Sequence, residues 1–342
     1  LGAFSARPEV AFREGYDTAP NGAAGSSLSG LTPSLLLTDP LLGFAAYAAG
    51  DFTIYPENTS QNTNSLTLGA GQRVALPDHL ITVSAGYIRT QETGFALDTI
   101  AIPRPIAFTV SDIRASDLAS FGLFTLKPAA SATQYRFPNN AAGNRIDTRE
   151  ALTGAYLPGG PIQILVRLQE TQSTYRESLF DSETDQLLAG LVDTADGLWT
   201  VSALAGAARR RPRFGGTVSA PVLEAGLDWR PSDLDRIRVT LAREIDDPDE
   251  VSATAYTLTQ AKFSATHGCA GGVTASLSAQ GSNAAFFHSA LRETLVSTDA
   301  NLAVPLGQNL AFTADYSFNT RQANALRAAN EHIFTLTLAW SL

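Results

Sequence analysis

The chain ends FTLTLAWSL, residues 334–342. Phe334, Leu336, Leu338, Trp340 and Leu342 alternate with Thr335, Thr337, Ala339 and Ser341. Alternation with a period of two is the pattern of a β-strand with two unlike faces. One face here is large and apolar, the other small and hydroxyl-rich. A soluble sheet could bury such an apolar face, so composition has to narrow the choice.

The chain has 342 residues, 44% of them hydrophobic, and a mean hydropathy of −0.01. No run approaches the ~18 apolar residues of a membrane-spanning helix; the richest patch, 41–49, is about half that length and contains Gly43. A single cysteine, Cys269, cannot form an internal disulfide. A net charge of −9 and only two lysines, Lys127 and Lys262, argue against a nucleic-acid partner. The start, LGAFSARPEV, has neither a basic nor an apolar signal region, so an export signal is expected to have been removed.

Turn signals recur along the chain. They fall at 38–43, 76–79, 126–130, 157–161, 193–197, 229–236, 266–272 and 304–309. With Pro40, Pro77, Pro128, Pro158, Asp196, Pro231, Gly268 and Pro305 as markers, the gaps are 37, 51, 30, 38, 35, 37 and 37. Each period holds two alternating segments around a longer polar loop, the last of them NTRQANALRAAN, 319–330. In 237–245, Ile237, Val239 and Leu241 oppose Arg238, Thr240 and Glu244; in 310–318, Leu310, Phe312, Tyr316 and Phe318 oppose Thr313, Asp315 and Ser317. The alternation slips in 114–127 and 255–267, where a bulge is expected.

Segments of about 9–12 residues suit tilted strands crossing a bilayer, whereas soluble sandwiches use about 5–6. Short turns at one end and longer loops at the other predict an all-β fold. It is a single closed antiparallel transmembrane barrel of about 18 strands over residues 1–342, with 1–7 as a short periplasmic lead. In lipid an unpaired peptide group costs several kcal/mol, so the last strand has to pair with the first, near 8–18. Trp199, Trp229 and Trp340 lie beside short turns or the C-terminus, where interfacial aromatics are expected.

Three stretches resemble the outer-membrane β-barrel porins of the BBP2 type: REGYDTAPNG (13–22), 176–214, and LEAGLDWRPSDLDRIRVTLAREIDDP (223–248). The resemblance implies a Gram-negative outer-membrane barrel associated with exopolysaccharide synthesis and export, in contact with lipid and lipopolysaccharide. Exopolysaccharide or periplasmic export proteins are the partners it suggests. It implies no catalytic residue and no cofactor.

A barrel of this strand number generally encloses an aqueous channel. Arg73, Arg167, Glu224, Asp228 and Arg230 are the candidate lumen and selectivity residues. Loop 93–112 is the longest and is oddly apolar; Pro103, Arg104 and Pro105 are candidates for an inward constriction with Arg104 at its tip. Arg209, Arg210, Arg211 and Arg213 form a cluster, read as a loop, that could meet lipopolysaccharide phosphates or an acidic polymer. The expected function is a porin-like channel for exopolysaccharide or small solutes. The alternatives are a plugged barrel serving as surface anchor or scaffold, and an outer-membrane lipid hydrolase built on His288 and Ser289. Two ligands, His267 and Cys269, are too few for a zinc site, and the acidic run 246–250 lacks the spacing of a calcium loop.

Overall fold

The computed structural model describes residues 4–95, 97, 104–138, 141–193, 197–247, 255–324 and 326–342. They form one 18-stranded antiparallel sheet. Its first half comprises β1 (Ser5–Asp17), β2 (Ser26–Asp39), β3 (Phe44–Ile54), β4 (Thr63–Ala75), β5 (His79–Glu92), β6 (Ile106–Phe121), β7 (Phe124–Arg136), β8 (Arg145–Tyr156) and β9 (Ile162–Tyr175). The second comprises β10 (Ser182–Asp193), β11 (Trp199–Pro212), β12 (Val218–Trp229), β13 (Asp235–Asp246), β14 (Tyr256–Gly268), β15 (Thr274–Phe286), β16 (Arg292–Pro305), β17 (Leu310–Ala323) and β18 (Leu326–Ser341).

Each strand pairs with its neighbours in sequence, and β1 pairs with β18 from Glu9–Ser341 to Asp17–Ile333. The sheet therefore has no free end. Strand order and register place Phe334, Leu336, Leu338 and Trp340 outward beside Tyr16, Phe12 and Val10, all exposed. Thr335 and Thr337 face inward. The large apolar side chains of most strands point the same way, out of the barrel, which is the inverse of a soluble core. The expected lead is part of the wall: Ser5–Arg7 pair with Thr38–Leu36.

Proline lies at three interruptions of the described ladders, because it has no N–H to donate; the register shift at Arg321–Ala323 of β17 has none. Between β2 and β3 the pairing jumps from Leu31–Phe52 to Ser34–Ala49, skipping Pro33. Between β6 and β7 it jumps from Ser116–Ala129 to Ala119–Leu126, skipping Pro128. Between β12 and β13 it stops at Leu223–Arg243, two residues below Pro221.

Two sequence expectations need correction. Pro128 is inside β7 and not in a turn; the turn is Gly122–Leu123, where Gly122 takes a φ of 63° that other residues adopt at a cost. Moving that marker evens out the two irregular gaps. The slipped alternation in 114–127 therefore reflects a hairpin and an interrupted ladder. In 255–267, by contrast, the register to both neighbours runs without a bulge. The second correction is at 319–330, expected to be a loop: β17 and β18 run to Ala323 and from Leu326.

A charge on the lipid face should cost far more than one in the lumen. Leu338→Lys is expected to destabilise the barrel by about 2–4 kcal/mol, and Thr337→Lys by about 1 kcal/mol or less. Urea titration of folding into lipid bilayers measures both.

Candidate functional site: the lumen and its mouth

The inward face is polar along most of the wall, and it links strands that are not neighbours. Arg167 on β9 donates two hydrogen bonds to Glu224 on β12, at 2.7 and 2.9 Å. Near the short-turn end, Asp228 accepts from Arg236 and Arg238, at 2.5 and 2.9 Å. Arg13 reaches across β2 to Asp51 on β3 at 2.8 Å. Gly30 makes that reach possible, since a Cβ there would collide with the Arg13 side chain. Of the predicted lumen residues, Arg73, Arg167, Glu224 and Asp228 lie on inward positions of β4, β9 and β12. Arg230 does not: it is in the turn after β12, its Nε 3.7 Å from Asp228.

At the loop end, two segments reach into the barrel. The first is the β5–β6 tip. Gly94 receives a hydrogen bond from Arg321 of β17 at 2.9 Å, and its amide donates to Asn21 in the β1–β2 loop. Phe95 is buried, and Leu97 packs on Tyr256, Ala284 and Phe286 of β14 and β15. β5 and β14 are nine places apart in a ring of 18, so this tip meets the opposite rim. An inward fold of this loop is expected from sequence, but other residues make it. Arg104 is exposed and, with Pro105, directly precedes β6, away from the tip contacts; Pro103 lies outside the described residues.

The second is the end of β13. Above Leu223–Arg243 this strand leaves β12 and lies inside β10–β12. Ile245 packs against Leu188, Leu204, Ala208 and Val222, which point into the lumen and are at most 5% exposed. Burying a side chain of the Leu or Val kind stabilises by roughly 1.5–3 kcal/mol, so this dry seam is a real bond between layers. Asp247 pairs with Arg210 of β11 at 2.5 Å and accepts from the Ser182 hydroxyl at 2.9 Å. Both charged side chains are about a tenth exposed, 10% and 11%, and removing one partner of such a pair costs roughly 3–5 kcal/mol.

Beside the tucked strand is a cavity of about 630 Å³. Arg114, Lys127 and Arg149 line it from β6–β8, and Glu244, Asp246 and Asp247 from the tucked end of β13. Side chains of both signs thus line one cavity, Arg145 and Asp147 of β8 among them. Arg145, at the top of β8, is held by Asp147 at 3.1 Å and by the Tyr135 ring at 4.2 Å.

The arginine cluster is not a loop. Arg209, Arg210 and Arg211 belong to β11, and only Arg213 lies beyond its end. Arg210 points inward to Asp247; Arg211 points outward and bridges Glu183 at 2.5 Å and Asp185 at 2.7 Å. Glu170, Glu183 and Asp185 come within 4.8 Å of one another, a grouping that Arg211 already neutralises in part. Trp199 and Trp229 are directly paired at the short-turn end, and Trp340 stands opposite Val10 on β1; all three point outward. Ser289 accepts a hydrogen bond from the Leu291 amide, a turn-forming contact and not a nucleophile's. His267 is paired with Asp235 at 2.7 Å.

Residues 205–340 match the family described as "Putative beta-barrel porin 2". Over that stretch the chain is similar to the BBP2-type porins. It is a porin-like outer-membrane barrel. In outer-membrane barrels short turns face the periplasm and longer loops the outside, and this barrel has such turns at one end and such loops at the other. The chain also aligns with OccK2 (OpdF) of Pseudomonas aeruginosa at 13% identity, covering 99% of this chain and 98% of that one, with a TM-score of 0.49. The outer membrane protein opdK of the same species aligns at 11% identity over 99% and 98%, TM-score 0.47. The siderophore receptor PirA, also from P. aeruginosa, aligns at 9% over 100% and 81%, TM-score 0.47. No curated protein sequence matches the chain.

The anchored β5–β6 tip should restrict the mouth. Replacing residues 94–104 with a short Gly-Ser turn is expected to raise single-channel conductance in planar bilayers. Unchanged conductance would mean that the tip does not narrow the path.

Proposed function

We propose that the protein is a passive conduit for small polar solutes, sorted by size and charge at the extracellular mouth. The observation that carries this reading is the cavity lined both by Arg114, Lys127 and Arg149 and by Glu244, Asp246 and Asp247. Fixed charges of both signs on a low-dielectric wall orient a dipolar solute and lower the cost of stripping its water. Hydroxyls of Thr82, Ser84 and Ser131 in the same lining suit sugars. Fragments of an exopolysaccharide fit this description, and the BBP2 resemblance supports them as cargo. No chemical step on the solute is involved.

A plugged barrel acting as a surface anchor is the second reading, favoured by the two inward tips that meet at Leu97 and Tyr256. Planar-bilayer recording separates the two. The conduit reading expects discrete conductance steps, and it expects Arg114→Glu with Arg149→Glu to move the reversal potential in a salt gradient toward cation selectivity. Absence of steps at every voltage, with folding intact, would favour the anchor.

A further inference from the structure

We propose that the lumen holds an oxyanion-binding station at its short-turn end, built by Arg230, Arg236 and Arg238 around Asp228. It takes the phosphate group of a solute in transit. The transit rests on the conduit reading; the binding does not.

Strand parity sets the site. Trp229 and Ile237 are directly paired and face outward, with Val239 beyond them on the lipid side. Asp228, Arg236 and Arg238 therefore fall on the inward face. Asp228 opposes Arg238 across the β12–β13 ladder, and Ser264 of β14 opposes Arg238 in turn. Arg236 stands opposite Thr266. These cations look into the lumen and not toward lipid headgroups.

Charge is out of balance here. Asp228 accepts from Arg236 Nε at 3.0 Å and Nη2 at 2.5 Å, and from Arg238 Nη2 at 2.9 Å. Arg230 Nε is 3.7 Å from the same carboxylate, beyond hydrogen-bond reach. Three guanidinium groups thus converge on one carboxylate and leave a surplus of two positive charges. Each guanidinium has five donors, and Asp228 engages three of the whole set. Lys262, opposite Thr240 on the inward face of β14, adds a further cation; Asp233 in the turn offsets no more than Lys262 adds. Asp235 is on the outward face, paired with His267 at 2.7 Å. At the loop-end cavity, by contrast, Arg145 and Arg210 are each matched by a carboxylate, Asp147 and Asp247.

The surplus is also held in place. The Arg230 amide donates to the Leu198 carbonyl at 2.6 Å, which ties the β12–β13 turn to the β10–β11 turn. Trp199 and Trp229, paired and outward, fix both hairpins at one depth. A phosphate matches what is left over. It carries up to two negative charges, and its tetrahedral oxygens can take donors that come from a turn and a strand instead of one fork. Fixed guanidinium groups on a low-dielectric wall concentrate such an anion and bind it by charge-assisted hydrogen bonds.

Inorganic phosphate is the probe, with the full-length barrel in a detergent that contains no phosphorus. Broadening of the phosphorus NMR resonance should saturate with phosphate concentration. Arg230→Gln with Arg238→Gln leaves the Asp228–Arg236 pair intact and should weaken binding roughly tenfold or more. Arg230→Lys with Arg238→Lys keeps the charge, loses the forks and should weaken it several-fold. Arg7→Gln, an inward cation of β1 at the same end, should leave binding unchanged. Circular dichroism of the sheet checks that each barrel is folded. The station is overturned by absence of saturable broadening, or by full affinity in the glutamine or the lysine pair. An equal loss from Arg7→Gln overturns it too, in favour of a diffuse positive lumen. In planar bilayers, phosphate on the short-turn side should lower chloride current saturably, and less so in the glutamine pair. Saturable binding to a barrel that never conducts would uphold the station and overturn the conduit; conduction without phosphate binding would do the reverse.

Discussion

Every backbone N–H and C=O that faces lipid must be matched within the protein, and the rest of this barrel follows from that demand. It makes the chain's last strand find its first, from Glu9–Ser341 to Asp17–Ile333. It also explains where prolines are admitted. Pro33 and Pro128 lie at skipped positions of the β2–β3 and β6–β7 ladders, and Pro221 lies above the point where β12 and β13 part. At an interruption the missing donor removes little that the ladder was using. Elsewhere it would leave a carbonyl unanswered in hydrocarbon.

Closure also inverts the usual distribution of apolar side chains. Outward positions are free to be large because lipid covers them, and inward positions are polar because water fills the lumen. Two exceptions are Leu188–Leu204–Ala208–Val222 and Tyr256–Ala284–Phe286. Both are on the inward face at the loop end; Ile245 at the end of β13 packs on the first and Leu97 of the β5–β6 loop on the second. There the molecule uses the ordinary means of a soluble protein, a dry interface between two layers, to fix a mouth that closure alone would leave wide.

Much of this was legible in the sequence. Strand faces are readable wherever one side meets lipid and the other water, as in 237–245 and 334–342, because period-two alternation is then enforced by both solvents. The reading failed where that contrast ends. Arg209–Arg211 and 319–330 look like loops since their outward residues are polar, yet the ladder continues past the apolar band. Pro128 looked like a turn because proline usually marks one; an interrupted ladder is the other place for it. The mouth was least legible. Its contacts join Leu97 to residues nine strands away, and Ile245 to three other strands, so no local pattern encodes them. The available signal was the apolar composition of loop 93–112, which has no reason to be greasy in water unless it packs on something.

The position of the parted strands is consistent with the membrane boundary. On β9, β10 and β13 the outward apolar residues that face lipid end at Leu168, Leu187 and Leu241; the next outward residue on each strand is Glu170, Asp185 and Arg243. Charges cost several kcal/mol at mid-bilayer and little near the interface, so this row marks the outer limit of the hydrocarbon. The β12–β13 ladder ends at Arg243 itself. Above that level headgroups and water can answer an unpaired peptide group, and below it nothing can. An opening in the wall is therefore tolerable from Arg243 upward, while the seven pairs beneath keep the hydrocarbon sealed from the lumen.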